Sequence, residues 1–257
     1  MKPLILITND DGVDARGIRT LIDIARSFGD VVVMAPMHNA SGTSLSFTGQ
    51  RPLRVNTVSE EPGCTIYACD GKPVDCVKIA QDYFCPRPPK LMLSGINHGS
   101  NASINILYSG TMGAVLEASS SGMQAIGFSL LDHRPDADFT PAEPYIRGII
   151  DEVLHNGLPD QVSLNVNIPV PDDGQIKGVR VCRQSKAFWA DSYERRIDPN
   201  GRPYYWLTGR FECDDNGPET DQWALENGYV SVVPTTPDHT DFRMIEPMEK
   251  RMECIHF

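Results

Sequence analysis

A chain of 257 residues is long enough for one large α/β domain, or two modest ones, with a substantial buried core. At 40% hydrophobic and 22% charged it reads as an ordinary globular protein, neither disordered nor membrane-spanning. Its formal net charge of −11 argues against broad nucleic-acid binding, which depends on clustered Lys and Arg, and leaves small substrates open.

Leu4, Ile5, Leu6 and Ile7 form a β-rich run without polar alternation, the pattern of a strand buried on both faces of a parallel sheet. The run is too short for a signal-peptide core or a membrane span, so a soluble, cytoplasmic protein is expected. It stops abruptly at Asn9-Asp10-Asp11-Gly12. Beyond that turn Ile18, Leu21, Ile22, Ala25 and Phe28 recur at helical spacing, with Gly29 as a stop, and Val31 to Met34 make a second strand. The strand, helix, strand order indicates a parallel α/β sheet.

A stretch led by Pro73, with Val74, Val77, Ala80 and Phe84 near one stripe, predicts a helix that the Pro-rich residues 85–90 end. Leu91 to Leu93 give another buried strand, residues 111–122 a helix closing on Gly122, and residues 125–131 a further strand. From Lys177 onward aromatics and charges mix, and Asn200-Gly201 between Tyr193 and Tyr204 predicts a hairpin or arm. Residues 228–234 read as a strand that rejoins the sheet. One unit over 1–257 is expected, with an α/β core in 1–172 and an arm with closing strands in 173–257. The seven cysteines are odd in number and lack C-x-x-C spacing, including Cys254, which suits reduced thiols.

In such sheets ligands bind beyond the carboxyl ends of the strands. Asp10 and Asp11, Ser41 with its neighbours, and Ser94 to Asn101 all follow predicted strands, so three polar loops converge on one crevice. Two unit charges at about 4 Å repel by roughly 1 kcal/mol in water and about 4 kcal/mol at an effective dielectric of 20. A divalent cation reverses that sign, and carboxylate, amide and hydroxyl oxygens suit magnesium, manganese or calcium. The alternative is that Asn-Asp-Asp-Gly only caps the turn and the helix after it. Farther along, Gly95, Gly99 and Gly110 permit close backbone approach, Asn97 and Asn101 offer amides, and Ser109-Gly110-Thr111 precedes a helix. That helix start is either an anion site or simply an N-cap. His38 and His98 sit in the candidate loops as an acid or base, or as structural groups. Walker, G-x-G-x-x-G, H-E-x-x-H and G-x-S-x-G motifs are absent, which disfavours NTPase, dinucleotide, zinc-protease and serine-hydrolase chemistry.

Seven stretches occur in order: ILITNDDGVDARGI, APMHNASGTSLSFT, GKPVDCVKIA, SGINHGSN with YSGTMGAVLEA, SLNVNIP, DPNGRPYYWLTG and TDQWALENGYVSVVP. Together they resemble the SurE family of survival-protein nucleotidases over nearly the whole chain. The resemblance implies a Rossmann-like, mostly parallel sheet with helices on both faces and a C-terminal hairpin arm. It implies a metal-dependent phosphatase acting on nucleoside 5′- and 3′-monophosphates, and in some members on short polyphosphate. The metal, magnesium or manganese at one per subunit, would be held by Asp10, Asp11, Ser41 and Asn97. One of the two aspartates would orient or deprotonate the attacking water. Phosphate and substrate contacts would come from Asn9, Gly99, Asn101, Ser109, Gly110 and Thr111, with Asn39 and Ser44 lining the mouth. The arm resembles the segment members use for homodimer or homotetramer contacts. Two departures stand out, Ala102 to Asn105 where a leucine-glycine pair is common and Ser119 where glycine is frequent. The alternatives are a haloacid-dehalogenase-type aspartyl phosphatase, which normally shows D-x-D where this chain has adjacent Asp10-Asp11 after Asn9, and a nucleotide or phosphate sensor without turnover.

Overall fold

The computed structural model describes residues 2–171, 174–253 and 255. The chain opens with β1 (Leu4–Thr8), α1 (Arg16–Ala25) and β2 (Asp30–Pro36), followed by the hairpin β3 (Val55–Glu61) and β4 (Cys64–Cys69). Next come α2 (Pro73–Ile79), β5 (Leu91–His98), α3 (Gly110–Ser120), β6 (Ala125–Leu130), α4 (Glu143–Asn156) and β7 (Ser163–Ile168). The last third holds β8 (Val179–Val181), β9 (Ala187–Ile197), β10 (Pro203–Cys213), α5 (Asp221–Glu226), β11 (Val230–Thr235) and α6 (Ile245–Met252).

Nine strands form one sheet in the order β3-β4-β2-β1-β5-β6-β7-β11-β8. Every neighbour pair from β4 across to β7 is parallel, while β3 on β4 and β11 on β7 run antiparallel. The unbroken apolar runs are explained by the two faces. Ile5, Ile7, Val31, Val33, Leu91 and Leu93 pack with α1 and α4 on one side. Leu4, Leu6, Val32, Met34 and Met92 pack with α2 and α3 on the other. Successive side chains of a strand point to opposite faces, so a strand covered on both must be apolar throughout. Each fully buried Leu, Ile or Val stabilises the fold by roughly 1.5–3 kcal/mol.

From β1 the chain runs outward to β2 on one side and later returns to β5 on the other, so the direction of winding reverses between them. The carboxyl ends of β2, β1 and β5 therefore lie side by side at a crevice, the place where such sheets bind ligands. Two expected elements differ in extent. The helix begun at Pro73 ends at Ile79 and passes into a π-helical turn, Ala80–Phe84. The strand begun at Leu91 continues to His98, because after an irregularity between Ser94 and Asn97 the backbone resumes pairing with Ser129 and Leu130. Asn97 thus stands at the end of a strand rather than in a free loop.

Strands β9 and β10 form a separate antiparallel ribbon, paired from Ala187–Cys213 to Ile197–Pro203. Its turn is built on Asp198, whose Oδ1 accepts from the Asn200 and Arg202 amides at 2.8 and 2.9 Å. Residues 228–234 rejoin the main sheet as β11, against β7. Residues 172 and 173, at the expected boundary between core and arm, and Cys254 lie outside the described residues. Cys64, Cys69, Cys76, Cys85, Cys182 and Cys213 are free thiols. Among the described residues, no helix is long and apolar enough to cross a membrane.

Candidate active site

The turn after β1 is held by Asn9, whose buried amide donates to the Gly12 carbonyl at 2.9 Å and accepts from the Gly12 amide at 3.3 Å. Asn9 therefore closes the turn on itself and presents the two following carboxylates. The Asp10 carbonyl accepts from the Ala40 amide at 2.7 Å, which ties the loop after β2 to the loop after β1. In that second loop Asn39 Oδ1 accepts from the Ser41 amide at 2.9 Å, the side-chain turn that sets Ser41 in place. Ser44 sits farther on. Its hydroxyl donates to the Leu107 carbonyl at 2.7 Å, and it lines a neighbouring cavity instead of the one that holds Asp10.

Asp10 is almost fully buried against the first turn of α3. Thr111 Oγ1 donates to Asp10 Oδ1 at 2.5 Å, and Ser109 caps the helix by accepting from the Met112 amide at 3.0 Å. Gly110 is required by this approach, since a Cβ on it would lie 2.8 Å from Asp10 Cβ and Oδ2. On β5, Asn97 Nδ2 donates to the Gly99 carbonyl at 2.9 Å, leaving its amide oxygen available. Gly99 has φ +101° and a Cβ there would overlap the His133 ring, so the glycine lets His133 close on the loop. Asn101 is pinned from β6 and β7. Its amide N–H donates to Asn167 Oδ1, its carbonyl accepts from Asn165 Nδ2 and its Nδ2 donates to Ser129 Oγ, each at 2.8 Å.

Burial pushes the Asp10 carboxyl up to about 6; the Thr111 hydrogen bond opposes the rise and the Asp11 charge adds to it. Asp11 is also raised by burial, against the pull of His98, whose backbone N–H donates to Asp11 Oδ2 at 3.4 Å. A cavity of about 520 Å³ opens beside these groups, lined by Asp10, Ser41, Asn97, His98, Asn101 and Ser109, and from farther along the chain by Asn105, Tyr108, His133, Trp189, Phe211 and Gln222. Its volume suits a small-molecule ligand. No Lys or Arg is among the residues lining it. An anion entering here would meet the Asp10 and Asp11 carboxylates with no Lys or Arg to offset them, a charge that a bound cation would balance. The donors fit one: two carboxylates, the Asn97 amide oxygen and the Ser41 hydroxyl make a hard-oxygen set. Among the described residues no three His, Cys, Asp or Glu side chains are grouped to share a metal.

This arrangement can be set against known proteins. The family described as Survival protein SurE matches residues 5–191. The chain belongs to the SurE family. Proteins named 5′-nucleotidase SurE from Flavobacterium psychrophilum and Flavobacterium johnsoniae are 50% identical over 248 residues and 52% identical over 240 residues. These alignments cover 96% and 93% of this chain, and the same shares of the two relatives. A crystal structure of the SurE protein from Aquifex aeolicus matches with a TM-score of 0.83 at 35% identity, covering 97% of this chain and all of that one.

Within this SurE fold, Asp10, Ser41, Asn97, Asn101 and Ser109 line the cavity directly. Asp11, Gly99, Gly110 and Thr111 stand behind them as immediate neighbours, and Asn9 and Asn39 shape the loops. Sequence reasoning missed Asn105, Tyr108, His133, Trp189, Phe211 and Gln222 as site residues. Trp189 and Phe211 belong to the ribbon, which its DPNG turn marked as an arm, and nothing local in the sequence points that arm back toward Asp10.

Proposed function

We propose that the chain is a divalent-metal-dependent 5′-nucleotidase, a phosphohydrolase that releases phosphate from nucleoside monophosphates, 3′-monophosphates included. The observation that carries the reading is the Asp10 carboxylate packed on the start of α3 in a cavity whose lining residues include no Lys or Arg. Asp10, Asp11, Ser41 and Asn97 would hold magnesium or manganese. When bound, the metal supplies charge neutralisation at the transferring phosphoryl group and makes water a better nucleophile.

The chain's own groups do the rest. The start of α3, an eleven-residue helix, packs on Asp10 through the Thr111 hydroxyl and would offer a favourable dipole to phosphate oxygens. Asn101 is held on three sides by β6 and β7, so it meets substrate without reorganisation. Asp10, clamped by Thr111, and Asp11 are the candidates to orient the attacking water or take its proton.

The exposed aromatic residues of the β9–β10 ribbon support a homodimer or homotetramer. Phosphate release from the common nucleoside 5′- and 3′-monophosphates, with magnesium or manganese against EDTA, tests the reading. Turnover that needs the metal is expected. Saturable nucleotide binding with no release from any substrate would replace the enzyme with a sensor, and trapping a phosphorylated Asp10 would replace water with aspartate as nucleophile.

A further inference from the structure

Trp189 is 42% exposed, and its ring edge packs on Phe211 with centroids 5.6 Å apart. Its indole N–H donates to Asn105 Oδ1 at 2.8 Å. Because an indole N–H only donates, the amide oxygen of Asn105 must face it, and the Asn105 NH₂ is left as a free donor on the cavity wall. Gln222, which lines the same cavity, commits its NH₂ to Glu226 at 3.0 Å, which leaves its amide oxygen as an acceptor. Trp189 and Tyr108, itself 56% exposed, also line an adjoining cavity of about 450 Å³, so the aromatic surface continues from the carboxylate site toward the ribbon.

A fixed aromatic face with a donor and an acceptor beside it is the chemistry that receives a nucleobase: the flat ring stacks and its edge hydrogen-bonds. We infer that Trp189, held by Asn105, is the stacking platform for the base, so that the ribbon sets preference for nucleotides over phosphate esters that lack a base. This rests on the phosphohydrolase reading of the Asp10 site. Trp189 makes no bond to Asp10 or to α3, so its contribution falls on binding and appears in KM rather than kcat.

The test compares kcat/KM for adenosine 5′-monophosphate with kcat/KM for ribose 5-phosphate, which offers the same phosphate and sugar without the base. In W189A the ratio is expected to fall about tenfold, through KM for the nucleotide. W189L, which keeps bulk without a π face, carries the same expectation. W189F, which keeps a π face and loses the indole N–H, should retain the ratio to within about threefold. A wild-type ratio in both W189A and W189L, with both esters still hydrolysed, would overturn the stacking platform while leaving the phosphohydrolase intact. Wild-type protein inert to both esters with metal present would overturn the phosphohydrolase reading and the platform together.

Discussion

Asp10 carries a cost that its position explains. A carboxyl raised to about 6 in the folded chain, against its ordinary 3.8, binds its proton more tightly when folded than when unfolded. Its contribution to stability is therefore complete below about pH 4 and lost as the pH rises through about 6. At 1.36 kcal/mol per pH unit, the rise from 3.8 to about 6 amounts to about 3 kcal/mol. Asp10→Asn removes the charge while its amide oxygen still accepts from Thr111. In EDTA at pH 8, D10N is expected to melt several degrees above wild type, and the gap should close by pH 4. A melting temperature below wild type at pH 8 would contradict it. Such a trade of stability for a charged site is common where function needs the charge. At this scale the grouping of Asp10, Ser41, Asn97, Asn101 and Ser109 around one cavity was legible, because their polar loops follow neighbouring strands of a parallel sheet. What Asn9 does was not legible, since its type suits ligand contact as well as the turn it closes.

Among the elements, the loop between β5 and α3 depends on a distant residue. Asp221, fully buried at the start of α5, accepts from the Ser103 amide at 2.7 Å and from the Ser185 and Gln222 amides at 2.9 and 2.8 Å. It fastens the loop that carries Asn101 and Asn105 to the segment entering the ribbon. Asp221→Ala leaves three amides without that partner, and each unsatisfied buried group costs about 1–3 kcal/mol. Denaturant unfolding of D221A is expected to show a loss of at least about 3 kcal/mol, and its KM for nucleotide should rise. Neither effect can be read from TDQWA alone, where Asp221 passes for an ordinary helix-start acid. Strands β1, β2, β5, β6 and β11, by contrast, were read from their apolar runs, whereas β4 and β7, which carry Thr65, Asn165 and Asn167 among their apolar residues, were not. Strand β3 was not, since it lies at the sheet edge and is mostly exposed, and α4 buries only Ile146, Ile150 and Val153 along its fourteen residues.

For the molecule as a whole, local pattern announced a parallel α/β sheet but not its order. The insertion of β11 between β7 and β8 depends on pairing between residues far apart in the chain, which no local periodicity encodes. The ribbon is the other global feature. Two strands alone are marginally stable in water, yet Tyr193, Ile197, Tyr205, Trp206 and Leu207 are all more than half exposed on it. A second copy of the chain is the expected cover. Light scattering should give a mass of two or four chains, and Tyr205→Glu with Trp206→Glu should shift it toward one. A wild-type protein of single-chain mass would contradict that assembly.

The decisive measurement is phosphate release from adenosine 5′-monophosphate as manganese is titrated, in wild type and in folded D10N at pH 8. Wild type should show saturable, metal-dependent turnover that EDTA abolishes, and D10N at least a hundredfold less at every metal concentration. Turnover by D10N equal to wild type, or turnover in wild type that EDTA leaves unchanged, would contradict a metal-dependent site built on Asp10.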